Sequence, residues 1–410
     1  MKKIFINIQG KIDNFDENYK IAFLDIKEKY NVEILNYYIK WEIKKNKITE
    51  LISLWINMIE YIDEKDLIKK INNLEQKNIE FYVNTYTENL IIVSNKIKKI
   101  FWQKTTNFPI LFRDKKLQRE LLLKYNKDIT VNYFEREIIN LNFNEIKKNI
   151  WIPFILKPKD WIQSSGVLKI ENENELRNYI NNTENNIILV EEFIDWEFFN
   201  INYYVDEEQN FFLANPIREI VAIEYWIKDF FSPVRIISED TLEKALNYNI
   251  ERFIKESIIA CWIKNTFVHQ EFKITSKNKI KNIELNGRIG WFRMEMYNLW
   301  YWINLLDLMF DKKSKFWINI KNNFAWFTLY PEKTGILESY NYELLEKIKK
   351  LKSFYSLDIY PSFFEWNKIW LTKDWFKKVW KIRLENSNYK QFKKDYDFIE
   401  ENYKKLLTIK

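Results

Sequence analysis

Two runs of alternating side chains, 267–274 and 281–285, flank a polar Thr-Ser-Lys-Asn-Lys stretch. Alternation with period two, interrupted by a polar loop, predicts an antiparallel hairpin with a loose turn. Side chains two apart on a strand share a face, so Glu284 and Asn286 point the same way, and Glu271 on the partner strand can join them. Two carboxylates and an amide oxygen make a hard-oxygen set suited to Mg²⁺ (or Mn²⁺), with positions left for phosphate and water. Arg288 continues the alternation and offers a fork of donors to a phosphoryl or carboxylate group beside the metal. A surface hairpin with scattered charge would have the same pattern, so the rest of the chain has to decide.

Composition narrows the choice. The 410 residues are enough for two or three domains, and 47% hydrophobic content suffices for a large core. Cys261 is the only cysteine and His269 the only histidine. That excludes a disulfide framework, a cysteine or histidine zinc cluster, and any triad that needs a second histidine. No apolar run is long enough to cross a bilayer, and the run after Lys2-Lys3 is too short for a signal peptide, so a cytoplasmic location and no membrane contact are expected. The net charge of +7 is spread among interleaved acids and bases, which describes a solvated surface and not a nucleic-acid partner.

Seventeen Trp against five Gly is out of proportion, since soluble domains carry about 7% Gly and little Trp. The tryptophans also fall where glycine chemistry is wanted. Trp102 follows the helical pattern 89–101 at the C′ position, where a left-handed glycine usually ends a helix. Trp196 follows Asp195 at the close of an apolar run, and Trp161 lies in the polar loop 159–166. Trp366, Trp370, Trp375 and Trp380 punctuate a strand-rich tail at turn-like positions. The expectation is that many of these codons are UGA, written as Trp but read as Gly in the source organism; genuine UGG at 161, 196 and 291 would end it.

Read in order, the chain starts with strands at 2–8, 32–38, 56–62 and 79–83 and helices near 19–30, 64–76 and 88–101. Alternating strands and helices imply a parallel sheet covered on both faces, a Rossmann-like domain; Gly10 alone is no dinucleotide fingerprint. A helix at 117–124 follows Arg113-Asp114-Lys115. The strand 152–158 delivers Lys157 at its end, the loop 160–166 follows, and a strand at 167–170 returns, so that a donor-rich loop can fold over a polyphosphate. A helix at 173–180 and a strand at 186–190 lead into Glu191-Glu192-Phe193-Ile194, whose main chain can bind the edge of a base such as adenine.

The ordered set Arg113-Asp114-Lys115, Pro153…Lys157-Pro158, Ser165-Gly166-Val167, Glu191-Glu192-Phe193-Ile194, His269-Gln270-Glu271-Phe272 and Glu284-Leu285-Asn286-Gly287-Arg288-Ile289-Gly290 resembles the ATP-grasp superfamily. It is most similar to the carboxylate–amine ligase branch, which shares its arrangement with biotin carboxylases. Reading Trp as Gly sharpens the match at 157–161, 194–196, 288–291 and 300–304. The resemblance implies an α/β and α+β multidomain chain: a Rossmann-like domain over 1–110, an ATP-grasp domain over 111–325 with a flexible lid about 153–205, and a small C-terminal α+β domain over 326–410. It implies that Lys115 and Lys157 contact the ATP phosphates and that Ser164, Ser165 and Gly166 close over them. Glu191 and Glu192, with the backbone of Phe193 and Ile194, would hold adenine. Glu271, Glu284 and Asn286 would bind Mg²⁺, and Arg288 would stabilise phosphoryl transfer. The family usually has a Glu two residues after the glycine that corresponds to Trp196; here that position is Phe198, and the adjacent Glu197 is the substitute.

The implied activity joins a small-molecule carboxylate to an amine, with ATP as the activating agent and a homodimer allowed. Two other readings stay open: a biotin carboxylase-like step that uses bicarbonate, and, if the tryptophans are genuine, an inactive binding protein on the same fold. His269 reads as a neighbour of Glu271 and Cys261 as core.

Overall fold

The computed structural model describes residues 1–10, 17–40, 45–158, 167–183, 186–195, 197–225, 232–290, 293–301, 304–311, 322–331, 333–359, 367–369 and 379–410, and every count below is of those residues. Near-continuous apolar runs make a sheet buried on both faces. The strands Asn57–Tyr61, Val32–Ile39, Lys2–Gln9 and Ile79–Thr85 lie side by side in that order, all parallel. Phe5 and Ile34 pack on Phe23 and Ile26 of the helix Glu17–Tyr30. Ile4, Ile6 and Ile8 pack on the other side with Leu67, Ile71 and Ile97. The helix Lys45–Ser53 between the second and third strands was not expected, and the 64–76 helix stops at Asn72.

A second, antiparallel sheet has the order Tyr133–Glu137, Ile187–Glu192, Phe154–Pro158, Leu168–Ile170. It has its own core of Phe154, Leu156, Leu176 and Val190 under the helices Phe143–Asn149 and Glu173–Asn182. The lid expected over about 153–205 therefore differs from the sheet found. The small sheet starts earlier, at Tyr133, and ends at Glu192. Phe198–Val205 belongs to the central sheet, where all eight of its residues are buried.

That central sheet is nine-stranded and antiparallel. Its order is Ile280–Asn286, Thr266–Ile274, Phe198–Val205, Ile217–Ile220, Val234–Ile237, Asn323–Leu329, Trp380–Asn386, Phe354–Ile359, with Phe211–Leu213 paired to Phe198–Val205. The boundary expected at 325/326 falls inside the Asn323–Leu329 strand. That strand pairs with Val234–Ile237 on one side and Trp380–Asn386 on the other, so the C-terminal residues extend the central sheet. Trp380 is also not at a turn. It opens a strand, is fully buried and stacks on Tyr340 at 4.6 Å between ring centres. Trp366, Trp370 and Trp375 lie outside the described residues.

Candidate active site

The hairpin forms as the alternation requires. Thr266–Ile274 and Ile280–Asn286 pair antiparallel, Glu271 opposite Glu284 and His269 opposite Asn286, with a register shift just after Glu271. Side chains directly opposite share a face, so the sequence's three oxygen donors meet. Two carboxylates this close repel each other in a buried setting. Burial, Glu284 and Glu219 push Glu271 up to about 8. Glu284 goes the other way: against the effect of burial, Lys115 and Lys157 hold it below the usual carboxylate value. His269 Nε2 lies 3.3 Å from Glu271. Burial and the cations Arg293, Arg288 and Arg235 keep its ring neutral.

The cations come from elsewhere in the chain. Asp114 caps the helix Lys115–Tyr125 by accepting from the Leu117 amide at 3.0 Å, which fixes Lys115 in the first turn. Its Nζ is 3.2 Å from Glu284, and Glu284 keeps it protonated against the pull of burial. Gln118 accepts from the Leu285 amide at 3.0 Å and donates to the Leu285 carbonyl at 2.8 Å, tying this helix to the hairpin edge. Arg288 pairs with Glu88 of the N-terminal unit at 2.9 Å and sits close enough to bias both hairpin carboxylates.

Lys157 and Glu191 lie on neighbouring strands of the small sheet and pair at 2.5 Å, both buried. Burial, despite Glu191, brings Lys157 down to about 8. Arg119 completes the cluster, with Nε 3.1 Å and Nη2 3.4 Å from Glu191 and Nη2 also donating to the Ile283 carbonyl at 2.5 Å. Sequence reasoning missed Arg119. Its spacing of four from Lys115 on one helix face was the available signal.

The remaining expected residues are occupied differently. Glu192 accepts from the Asn132 amide and side chain at 2.9 and 3.0 Å. The Ile194 carbonyl accepts from Lys273 at 2.8 Å, and Lys169 and Lys273 lie over the Phe193 ring at 4.6 and 5.2 Å. Glu197, the substitute for a ribose contact, pairs with Lys244 at 2.9 Å and Arg218 at 3.3 Å. Ser164, Ser165 and Gly166 lie outside the described residues, as do Trp161, Trp196, Trp291 and Trp302.

Whether this face suits a divalent cation is answered by its unmet chemistry. The Asn286 Oδ1 is buried without a hydrogen-bond partner, next to a carboxylate pushed towards protonation. An acceptor left unsatisfied beside two acids is what a hard cation would complete. Among the described residues there is no set of three or more His, Cys, Asp and Glu groups placed for a metal, so the amide oxygen is needed as the third donor. A further buried cluster adjoins the hairpin and was not anticipated: Asn200 donates to Glu219 at 2.6 Å, Arg293 pairs with both, and Arg235 lies 3.7 Å from Glu219.

A family model described as an ATP-grasp domain matches residues 150–294, which contain Lys157, Glu191 and the whole hairpin. The chain carries an ATP-grasp domain. No curated protein matches it in sequence. Solved structures of low sequence identity share its fold over the full length. An L-amino acid ligase from Bacillus licheniformis has a TM-score of 0.67 at 15% identity, covering 100% of this chain and 98% of that one. An N5-carboxyaminoimidazole synthetase from Staphylococcus aureus, solved with ADP, gives 0.61 at 13%, covering 97% and 98%. A biotin carboxylase from Campylobacter jejuni, solved with an ATP analogue, gives 0.62 at 12%, covering 100% and 92%.

Proposed function

We propose that the chain is an ATP- and Mg²⁺-dependent, ADP-forming ligase that joins a carboxylate to an amine, of amino-acid or peptide type. The observation that carries the reading is the cross-strand pair Glu271–Glu284 with the unsatisfied Asn286 oxygen, joined by Lys115 and Lys157 from two other segments and by Arg288 just past the same strand. In this reaction a substrate carboxylate oxygen attacks the γ-phosphorus of ATP as the bridging bond to the β-phosphate breaks. An acyl phosphate and ADP result. The amine then adds to the acyl carbon, inorganic phosphate leaves with the bonding pair, and loss of the amine proton gives the amide.

The charge that builds on the phosphoryl oxygens sets what the protein must do. Glu271, Glu284 and Asn286 would hold Mg²⁺, which neutralises phosphate charge when bound. Lys115, kept protonated by Glu284, lies where it can contact the phosphates, and Arg288 presents its guanidinium to the same face. Lys157 is held by Glu191 until a phosphate competes for it. Burial of Lys115, Lys157 and Glu191 limits the water that could hydrolyse the acyl phosphate. A cytoplasmic location fits this chemistry, and among the described residues no helix is long and apolar enough to cross a membrane.

The test is ADP release from the purified chain with ATP and Mg²⁺, screening carboxylates and amines in pairs. Release that needs both partners, and that Glu284→Gln eliminates, is the expected result. Release that Glu284→Gln leaves near wild type would sink the assignment.

A further inference from the structure

Nine described residues other than glycine have left-handed backbone: Asn31, Trp55, Asn78, Trp102, Gln209, Asn249, Trp262, Asn265 and Asn278. Asparagine tolerates this region because its short amide bonds locally, whereas a bulky side chain there is an outlier. Three tryptophans among nine is therefore a pattern that needs a cause.

The three share one local structure. After the helix Ile91–Ile100, the Trp102 amide donates to the Lys99 carbonyl at 3.1 Å and the Gln103 amide to Lys98 at 3.1 Å. After Ile250–Ala260, the Trp262 amide donates to Ile259 at 3.2 Å and the Ile263 amide to Ile258 at 3.1 Å. After Lys45–Ser53, the Trp55 amide donates to Ile52 at 2.9 Å and the Ile56 amide to Leu51 at 3.2 Å. Each is a Schellman motif, two nested bonds that close a helix end around a left-handed C′ residue. That residue is usually glycine, because only glycine takes the conformation without a Cβ penalty.

Burial of the indoles does little to offset the strain at Trp55 and Trp102 and only partly does so at Trp262. Trp55, Trp102 and Trp262 are 81%, 88% and 52% exposed. The contact of Trp55 with Lys27, 5.8 Å from the ring, is a surface one. The glycines show the mirror image of the pattern. None of Gly10, Gly287, Gly290 and Gly335 has left-handed backbone. Among the described residues, left-handed backbone is found at three tryptophans and at none of the glycines.

We propose that glycine, not tryptophan, occupies positions 55, 102 and 262 in the protein as its own cell makes it, encoded there by UGA read as glycine. The assignment is made position by position. Trp380, buried and stacked on Tyr340, does not have left-handed backbone and is not included. The inference stands on backbone geometry and does not depend on the ligase reading.

Two measurements test it. The first is the mass of the tryptic peptides 48–65, 100–104 and 256–264 from protein isolated from its native source. Each is expected to be lighter by the difference between tryptophan and glycine, and tryptophan in any of the three overturns the proposal. The second uses the full chain produced as written, with Trp102→Gly and Trp262→Gly compared with Trp102→Ala and Trp262→Ala. Both exchanges remove the exposed ring, but only glycine relieves the backbone. Each glycine variant is expected to unfold a few degrees above its alanine counterpart. Equal midpoints for glycine and alanine would show that the left-handed backbone is not what these positions select for, and would overturn the inference.

Discussion

Arg119 holds Glu191 by two guanidinium nitrogens at 3.1 and 3.4 Å, across 72 residues of sequence and with both side chains buried. Removing one partner of such a pair strands the other charge, which typically costs about 3–5 kcal/mol. Arg119→Met should therefore lower unfolding stability by roughly that amount, less whatever Lys157 continues to compensate. Adding Glu191→Gln to Arg119→Met should deepen the loss, because it leaves buried Lys157 without its partner. Urea titrations of the single and double variants provide the check.

A Glu284 variant would separate binding from chemistry in the proposed reaction. Its carboxylate pairs with Lys115 at 3.2 Å and faces Glu271. Glu284→Gln should fold, keep measurable nucleotide affinity and lower turnover by about a hundredfold or more, since the lost charge acts mainly on the transition state. A variant that raised only KM would place this carboxylate in ground-state binding.

In the proposed reaction, Glu271 would make Mg²⁺ affinity depend on pH. With its carboxyl pushed up to about 8, below that pH the group carries a proton that Mg²⁺ must displace. Apparent Mg²⁺ affinity should rise with pH, by up to about tenfold per unit, and level off above 8. The side chain is a quarter exposed, so the measured slope will be shallower than this limit. Mg²⁺ titrations from pH 6 to pH 9 should show the rise, and Glu271→Gln should flatten it.

Lys98 gives a stability effect of defined sign. It is buried, donates to the Asn265 carbonyl, and burial brings it down to about 7, opposed only by Glu207. The folded chain therefore binds fewer protons than the unfolded chain between about pH 7 and pH 10. Stability should increase over that window, at a limiting slope of about 1.4 kcal/mol per unit, and the slope should disappear in Lys98→Met. Thermal unfolding against pH reads it directly.

Gly287 is held by space and not by backbone conformation. A Cβ there would lie 2.5–2.8 Å from the Phe112 ring. Gly287→Ala should cost about 1–3 kcal/mol by overpacking, and Phe112→Leu should relieve part of it.

The hairpin was legible because a period of two fixes which side chains share a face, and that alone brought Glu271, Glu284 and Asn286 together. The helix at Lys115 was legible because Asp114 is a good cap. Arg119, Glu219 and Arg293 were not, since local periodicity says nothing about which buried charge meets which across 70 or more residues. The strand that crosses 325/326 was not legible for a related reason. A strand's sheet is chosen by its partners, and Asn323–Leu329 found them at 234–237 and 380–386. Trp380 at a supposed turn was a case of composition standing in for position.

Lys157 and Glu191 travel together because they lie on paired strands of the small sheet, whereas Arg119 belongs to the helix beneath. A rotation that swung the whole sheet away would have to pull Arg119 from Glu191 with no water to replace it. Any displacement of the sheet that keeps this pair must leave the Glu191 strand in place, whereas the Leu168–Ile170 edge lies two strands away from that restraint.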